Sequence, residues 1–231
     1  RIVLKNDGVK GGNMCKKIAV FAGTQHGSGQ NSAYNNGDYE FEQMFPTHLW
    51  GSTYIVGSPD AHGSAVTRIV ASKPCTKVSV NGVEVATLNP SQFYEYVDTE
   101  NKGCYVHATK PVGVAFFTTG ENVGSNADGA PAMITIAPAE QAVQDMTFTA
   151  IANGGISEHS LMITAKTSAC NSTTLTNSYG TTEELNSGWT VVPGTEYSYR
   201  VYSGLNTGAS YTLKNPNGFN AYVYGSKGKD V

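Results

Sequence analysis

The chain has 231 residues, with 15 basic and 18 acidic side chains and a formal net charge of −3 at pH 7. This balance excludes the basic footprint that nucleic acids and anionic membranes require, so neither is an expected partner. No apolar run reaches the roughly 18 residues of a membrane-spanning helix, and direct membrane insertion is not expected. Charged residues make up only 14% of a chain rich in Gly, Ser, Thr, Asn and Tyr, which is typical of extracellular β-proteins.

Two stretches of the chain repeat the same features in the same order, Glu42–Gly120 and Glu140–Gly225. Each begins with Glu-Gln, carries a cysteine in a β-rich segment, and closes on a glycine, a proline, an aromatic strand and a final glycine. Lys16–Gly23 resembles a third closing strand that has no opening of its own. Internal repetition indicates modular architecture. We therefore predict closing strands of an upstream repeat over residues 1–28, a first β repeat over 29–130, a second over 131–231, and a place in a longer polypeptide.

The region from His26 to His62 concentrates groups capable of chemistry. His26, His48 and His62 lie near Asp38, Glu40, Glu42 and Asp60, but their wide spacing favours isolated surface histidines over a metal site, and no cofactor is predicted. The alternation of Asp38, Glu40 and Glu42 would place three carboxylates on one strand face, with Tyr39 and Phe41 on the other. Paired carboxylates are the machinery of glycosidases. A solvated strand edge is the preferred interpretation, and no catalytic residue is predicted.

The next element is a hairpin formed by Thr76–Val80, Asn81-Gly82 and Val83–Leu88. Asn-Gly between alternating runs favours a two-residue turn, because both residues adopt positive φ at low cost. The turn predicts pairing of Val80 with Val83 and of Val78 with Val85, with four valines on the core face.

Short aromatic and β-branched strands follow in both repeats, separated by turn residues. They are predicted at Phe93–Val97, Tyr105–Ala108, Val112–Phe117, Leu161–Ala165, Gly188–Val192, Tyr197–Tyr202, Tyr211–Lys214 and Phe219–Tyr224. The only helical signal is Pro138–Gln144, and the segments at 25–38 and 120–131 have the composition of long loops. This spacing predicts an all-β fold of two related β-sandwich-like repeats with little or no helix.

The cysteines and the aromatic residues supply the remaining candidates. Cys15, Cys75, Cys104 and Cys170 allow three fully paired schemes; we favour Cys75 with Cys104, against the alternative of four free thiols. Aromatic side chains near turns are suited to binding proteins or sugars. On this ground we predict a ligand-binding role for Tyr34, Trp50, Tyr179 and Trp189, although most aromatics are expected to pack in the core.

Several phrases of the chain resemble the N-terminal domain of the IgGFc-binding protein family. The phrases are Lys17–Gly23, Glu42–Pro46 with Trp50-Gly51 and Tyr54–Val56, Val80–Val83 with Phe93-Tyr94, Ala130–Met133 with Glu140-Gln141, Val192–Tyr197 and Phe219–Gly225. Together they span nearly the whole chain in the family's order. The resemblance implies a bacterial-type surface or secreted β-module, outside the cell, that binds a protein or glycan.

The leading hypothesis is thus a non-enzymatic recognition or adhesion module whose ligand is a host glycoprotein, mucin, immunoglobulin or glycan. One alternative is a structural spacer within a larger surface protein. The other is a carbohydrate-active enzyme that uses the carboxylates at positions 38–42.

Overall fold

The computed structural model of the chain describes residues 18–27, 38–58, 65–100, 102–118, 132–152, 156 and 158–226. These residues form three antiparallel sheets. The first has two strands, β1 (Phe21–Gly27) and β2 (Asp38–Gln43). The second has seven: β3 (Gly51–Val56), β4 (Ala65–Ala71), β5 (Thr76–Val80), β6 (Val83–Leu88), β7 (Phe93–Asp98), β8 (Cys104–Phe117) and β9 (Met133–Ile136).

The third sheet also has seven strands and lies in the second half of the chain. Its strands are β10 (Val143–Thr149), β11 (Glu158–Lys166), β12 (Thr174–Asn177), β13 (Thr182–Glu184), β14 (Thr190–Val191), β15 (Tyr197–Ser203) and β16 (Ser210–Ser226). The helical residues in the described ranges form short 3-10 helices at Thr47–Leu49, Ala139–Gln141 and Thr167–Ser172. The predicted all-β class is confirmed.

Each large sheet is organised around one long strand near its centre. β8 pairs with β3, β4, β5 and β9, and β16 pairs with β10, β11 and β12. The sequence predicts two shorter strands in place of each, because Pro111 and Pro216 suggest a break. The chain stays extended because each proline lies in a bulge, at residues 108–111 and 215–218, where the ladder to β3 or β10 is interrupted. A bulge tolerates a residue that has no N–H to donate.

The two repeats enter their large sheets in the same way. Pro46 and Pro138 each precede a 3-10 helix, with φ and ψ of −64° and 147° in the first and −68° and 154° in the second. The two Glu-Gln pairs do not occupy equivalent positions in the fold, because Glu42-Gln43 ends β2 whereas Glu140-Gln141 lies inside the second 3-10 helix. β9, which follows the predicted boundary at residue 130, pairs with β8 of the first large sheet. The predicted domain boundaries remain a prediction.

The predicted hairpin forms with one correction. Asn81 and Gly82 take φ of 50° and 81°, and Val80 pairs with Val83 as expected. Val78, however, pairs with Ala86, because Val85 is an extra residue in a bulge on β6. Val83 is 64% exposed, so the four valines do not all face the core.

Each large sheet encloses its own hydrophobic core, and a third cluster joins the two. Ile69, Val78, Val106 and Phe116 lie in the first core, and Leu161, Ile163, Leu213 and Phe219 lie in the second. Ile55 of β3 packs with Val192 and Tyr199 of the second repeat. β9 belongs to the first large sheet, and the N–H of Ala137, directly after β9, donates to the Tyr222 hydroxyl of β16 in the other large sheet at 2.8 Å. The repeats therefore pack directly on each other.

Cys75, Cys104 and Cys170 are free thiols, which corrects the predicted Cys75–Cys104 disulfide. Val78 pairs with Ala108 and Val80 with Val106, so Cys75 and Cys104 lie at opposite ends of neighbouring antiparallel strands. A disulfide requires Cα atoms within about 7 Å, far less than the length of this ladder. Cys15 lies outside the described residues.

Candidate recognition surface

The most exposed predicted site residue lies at the tip of the β12–β13 hairpin. Tyr179 is 85% exposed. The Asn177 side-chain oxygen accepts hydrogen bonds from the N–H groups of Tyr179 and Thr181, each at 3.0 Å, and Gly180 has φ of +83°. Because the Asn side chain and the glycine fix the turn, the Tyr179 ring is presented to solvent on an ordered backbone.

A cluster of charged and aromatic side chains lies between this hairpin and β15. The Tyr202 hydroxyl donates to Glu183 Oε2 at 2.7 Å, and Arg200 Nη1 donates to the Ser187 carbonyl at 2.6 Å. The Arg200 guanidinium lies over the Tyr202 ring, 5.5 Å from its centre, and Nη2 is 3.9 Å from Glu183 Oε1. These contacts fix the orientation of all three side chains before any ligand arrives.

The electrostatics of this cluster keep the tyrosine neutral. Burial, together with the hydrogen bond to the Glu183 carboxylate, raises the pKa of Tyr202 to about 12. The hydroxyl is therefore a permanent donor near neutral pH. Glu183 keeps one carboxylate oxygen directed toward Arg200, and its side chain is half exposed.

Trp189, another predicted ligand-binding residue, lies beneath this cluster. Its indole Nε1 donates to the Leu185 carbonyl at 2.6 Å, and its ring packs against the second core. Gly188, which precedes Trp189, lies next to the Arg200 side chain. A Cβ atom added at position 188 would lie 3.6 Å from Arg200 Nε. Trp189 thus supports the loop that holds Arg200.

We call Tyr179, Glu183, Arg200 and Tyr202 the hairpin surface. Tyrosine and arginine are enriched among the residues that dominate protein interfaces, because they bury large areas with few rotamers to lose. Glu183, Arg200 and Tyr202 were not predicted as site residues. The alternation of Arg200 and Tyr202 on one strand is visible in the sequence, but their partner Glu183 belongs to β13, which three other strands separate from β15 in the sheet order.

The other predicted aromatic residues do not join this surface. Trp50 lies before β3 in the first repeat, donates its Nε1–H to the Phe45 carbonyl at 3.1 Å, and packs over Gly113, where a Cβ would lie 2.8 Å from the ring. Tyr34 lies outside the described residues. Of the four predicted side chains, Tyr179 and Trp189 lie in the second repeat and Trp50 in the first.

The carboxylates of β2 have surroundings different from those expected. Glu40 is only 5% exposed, whereas Tyr39 and Phe41 on the opposite face are 71% and 67% exposed. Glu42 Oε1 accepts the N–H of its neighbour Gln43 at 3.1 Å. The side chain of Asp38 lies outside the description. The aromatic face of this strand, rather than the carboxylate face, is turned to solvent.

The other candidate chemistry is sparse in the part of the chain that the structure describes. His48 is exposed in the first 3-10 helix, and no three His, Cys, Asp or Glu side chains there are placed to hold a metal. The His26 side chain and the whole of His62 fall outside that part.

A cavity of about 110 Å³ lies between the repeats and is bordered by Ile55, Lys166 and Tyr197. It is smaller than the roughly 300 Å³ of small-molecule sites. In the part of the chain that the structure describes, no helix is long and apolar enough to cross a bilayer.

Comparison with protein families assigns the chain to a class of binding module. The family model described as "IgGFc binding protein" matches residues 8–225, and the chain belongs to this family. Members are typically extracellular or secreted binding modules. Neither a curated protein nor a solved structure gives a match.

Proposed function

We propose that this chain is a non-enzymatic recognition or adhesion module that binds an extracellular glycoprotein through the hairpin surface. Family membership over residues 8–225 carries the proposal, because it supplies the class of function. The immunoglobulin Fc region is the ligand we propose to test first, since the family is named for it.

The hairpin surface fits a protein ligand better than the other exposed groups do. Tyr179 supplies an exposed ring on a fixed turn, and the half-exposed Glu183 carboxylate, held by Arg200 and Tyr202, supplies an oriented acceptor on the same hairpin. Preorganised aromatic and guanidinium groups lower the entropic cost of association. We assign Trp189 a supporting role and place Trp50 outside the binding surface; Tyr34 remains a predicted ligand-binding residue.

The experiment is a binding assay with the whole chain against three immobilised probes: purified IgG Fc fragment, the same fragment stripped of its glycan, and mucin. Binding to both Fc forms supports recognition of the immunoglobulin polypeptide. Loss of binding on deglycosylation would move the ligand to the Fc glycan, and binding to mucin alone would replace the Fc region as ligand. No binding to any of the three would refute the proposed ligand classes.

A further inference from the structure

The small β1–β2 sheet repeats the pairing of β8 with β9 in the same register. The number of residues from Gln43 to Pro46 equals the number from Thr135 to Pro138. Each of these prolines leads into a 3-10 helix. Gln43 pairs with Phe21 and Thr135 pairs with Ala115. β1 is therefore the structural equivalent of the second half of β8, with Phe21 in the place of Ala115.

In both complete repeats, the closing strand has a further neighbour. β4 pairs with the second half of β8, with Arg68 opposite Ala115, and β11 pairs with the second half of β16, with Thr164 opposite Asn220. β4 and β11 are each the second strand after the 3-10 helix of their repeat, and we call them the opening strands because they pair with the closing strand. Within the described ranges, β1 pairs with β2 alone, and no opening strand lies along its other edge.

The backbone groups of β1 alternate between its two edges. The N–H of Met44 donates to the Val20 carbonyl at 2.8 Å, so Val20, and with it Ala22, bonds toward β2. In an antiparallel ladder the intervening residues direct their N–H and C=O groups the opposite way. Phe21 and Gly23 consequently present their backbone groups along the outer edge, which is a template for strand addition.

The exposed aromatic face of this sheet fits the same occupant. The rings of Phe21 and Phe41 stack with centroids 5.6 Å apart, and they are 53% and 67% exposed. In the first repeat the equivalent face carries Phe117, which is only 3% exposed, and Arg68 of the opening strand lies over its ring at 4.6 Å. The opening strand covers an aromatic side chain in the complete repeat.

We propose that the outer edge of β1 is an acceptor site for the opening strand of another repeat of this family. The occupant is an extended segment with the β4 pattern, antiparallel to β1, with the residue equivalent to Arg68 opposite Phe21. This site is independent of the hairpin surface and of any ligand bound there.

The test adds a synthetic peptide to the whole 231-residue chain and follows amide hydrogen exchange residue by residue. The peptide carries the sequence of Ala65–Ala71 between terminal lysines that keep it soluble. The site predicts that exchange at Phe21 and Gly23 slows about tenfold or more at saturating peptide, because these N–H groups gain acceptors. The amides bonded to β2 serve as internal controls, and their exchange should change less.

Two backbone-methylated peptides provide the matched comparison. Methylation of the nitrogen at the Arg68 position removes a donor that would face β1 and should abolish the protection. Methylation at the neighbouring Thr67 position alters the opposite edge and should leave the protection in place. Both peptides have the same composition and the same added methyl group.

Four results would overturn the proposal. The first is the absence of protection up to the solubility limit of the unmodified peptide. The second is protection in β7 or β8 rather than β1, and the third is equal behaviour of the two methylated peptides. The fourth is protection of Phe21 and Gly23 without any peptide as chain concentration rises and the sedimentation coefficient increases, since the occupant would then be a second copy.

Discussion

Glu140, in the 3-10 helix that opens the second repeat, accepts two hydrogen bonds from Ser52 at the start of β3 in the first. The Ser52 N–H donates at 3.1 Å and its hydroxyl at 2.9 Å, both to Oε1. Beside this contact, the Gln141 side-chain amide donates to the Leu49 carbonyl. The second Glu-Gln pair of the sequence repeat therefore ties the two repeats together.

We expect Glu140→Ala to lower the free energy of unfolding by about 0.5 to 1 kcal/mol at pH 7, a modest figure because solvent screens this exposed group. Burial raises the pKa of Glu140, but hydrogen bonds from its own N–H and from Ser52 outweigh it and hold the pKa below its ordinary value. The stabilisation is therefore present above the ordinary pKa of about 4.3 and is lost as pH falls through the lower folded value.

Urea unfolding of wild type and Glu140→Ala at pH 7 and near pH 3 measures this difference. Glu42→Ala is the matched control. It should lower the free energy of unfolding by less, because the hydrogen bond described for the Glu42 carboxylate comes from the adjacent N–H of Gln43. An equal loss at both pH values would contradict the role assigned to the ionised carboxylate.

A second prediction concerns the buried hydroxyl of Tyr54. It accepts the N–H of Gly51 at 3.0 Å and donates to the Val112 carbonyl at 2.5 Å, which closes the β3–β8 bulge. Tyr54→Phe leaves both backbone groups without this partner and should cost about 1 to 3 kcal/mol in thermal or urea unfolding. Tyr39→Phe changes an exposed side chain and should lie within about 0.5 kcal/mol of wild type.

Tyr54 also predicts a loss of stability in alkali. Burial raises its pKa to about 12, whereas an unfolded tyrosine titrates near 10. Its contribution is therefore complete below about pH 10 and is lost as pH rises toward 12. As pH rises from about 10 to about 12, the free energy of unfolding of Tyr54→Phe should fall less than that of wild type. A variant with the same alkaline slope as wild type would show that Tyr54 does not carry this dependence.

How far the sequence determines this fold can be judged from its turns. The Asn81-Gly82 turn and the all-β class were predictable, because positive φ and strand alternation are local properties. The Val85 bulge and the continuity of β8 and β16 through Pro111 and Pro216 were not, since they depend on which strands lie on either side. Pairing partners are set by tertiary packing, which local periodicity does not encode.

The candidate site divides in the same way. Tyr179 was predictable because Asn177 and Gly180 mark its turn, and a turn exposes its tip. Arg200 and Glu183 come from β15 and β13, which are not neighbours in the sheet order, so only the three-dimensional fold brings them together. The Cys75–Cys104 prediction failed for a related reason: both cysteines flank strands of one sheet, but the antiparallel register places them at opposite ends.

The cysteines themselves give a further prediction. Cys75 is exposed, whereas Cys104 and Cys170 are buried, and burial raises the pKa of the Cys104 thiol to about 12. Alkylation of the native chain followed by peptide mapping should label Cys75 quickly, and Cys104 and Cys170 only after unfolding. A disulfide-linked peptide containing Cys75 and Cys104 would contradict the register described here.

The hairpin surface predicts a specific sensitivity to side-chain changes. Tyr202→Phe removes the hydrogen bond to Glu183 but keeps the ring under Arg200, so the chain should remain folded while affinity for a bound Fc fragment falls several-fold. Dissociation kinetics should carry most of this change. Thr190→Ala, on the neighbouring exposed strand β14, is the control; an equal effect of both changes would contradict the role of the Tyr202 hydroxyl.

The most direct test of ligand recognition by the hairpin surface compares Tyr179→Ala with Tyr39→Ala in binding to immobilised Fc fragment. Both tyrosines are mostly exposed, at 85% and 71%, and they lie in different sheets. We predict that Tyr179→Ala weakens binding about tenfold or more, as expected for an interface anchor, and that Tyr39→Ala leaves the Kd unchanged. Unchanged binding by Tyr179→Ala, with the fold intact by circular dichroism, would contradict the central claim.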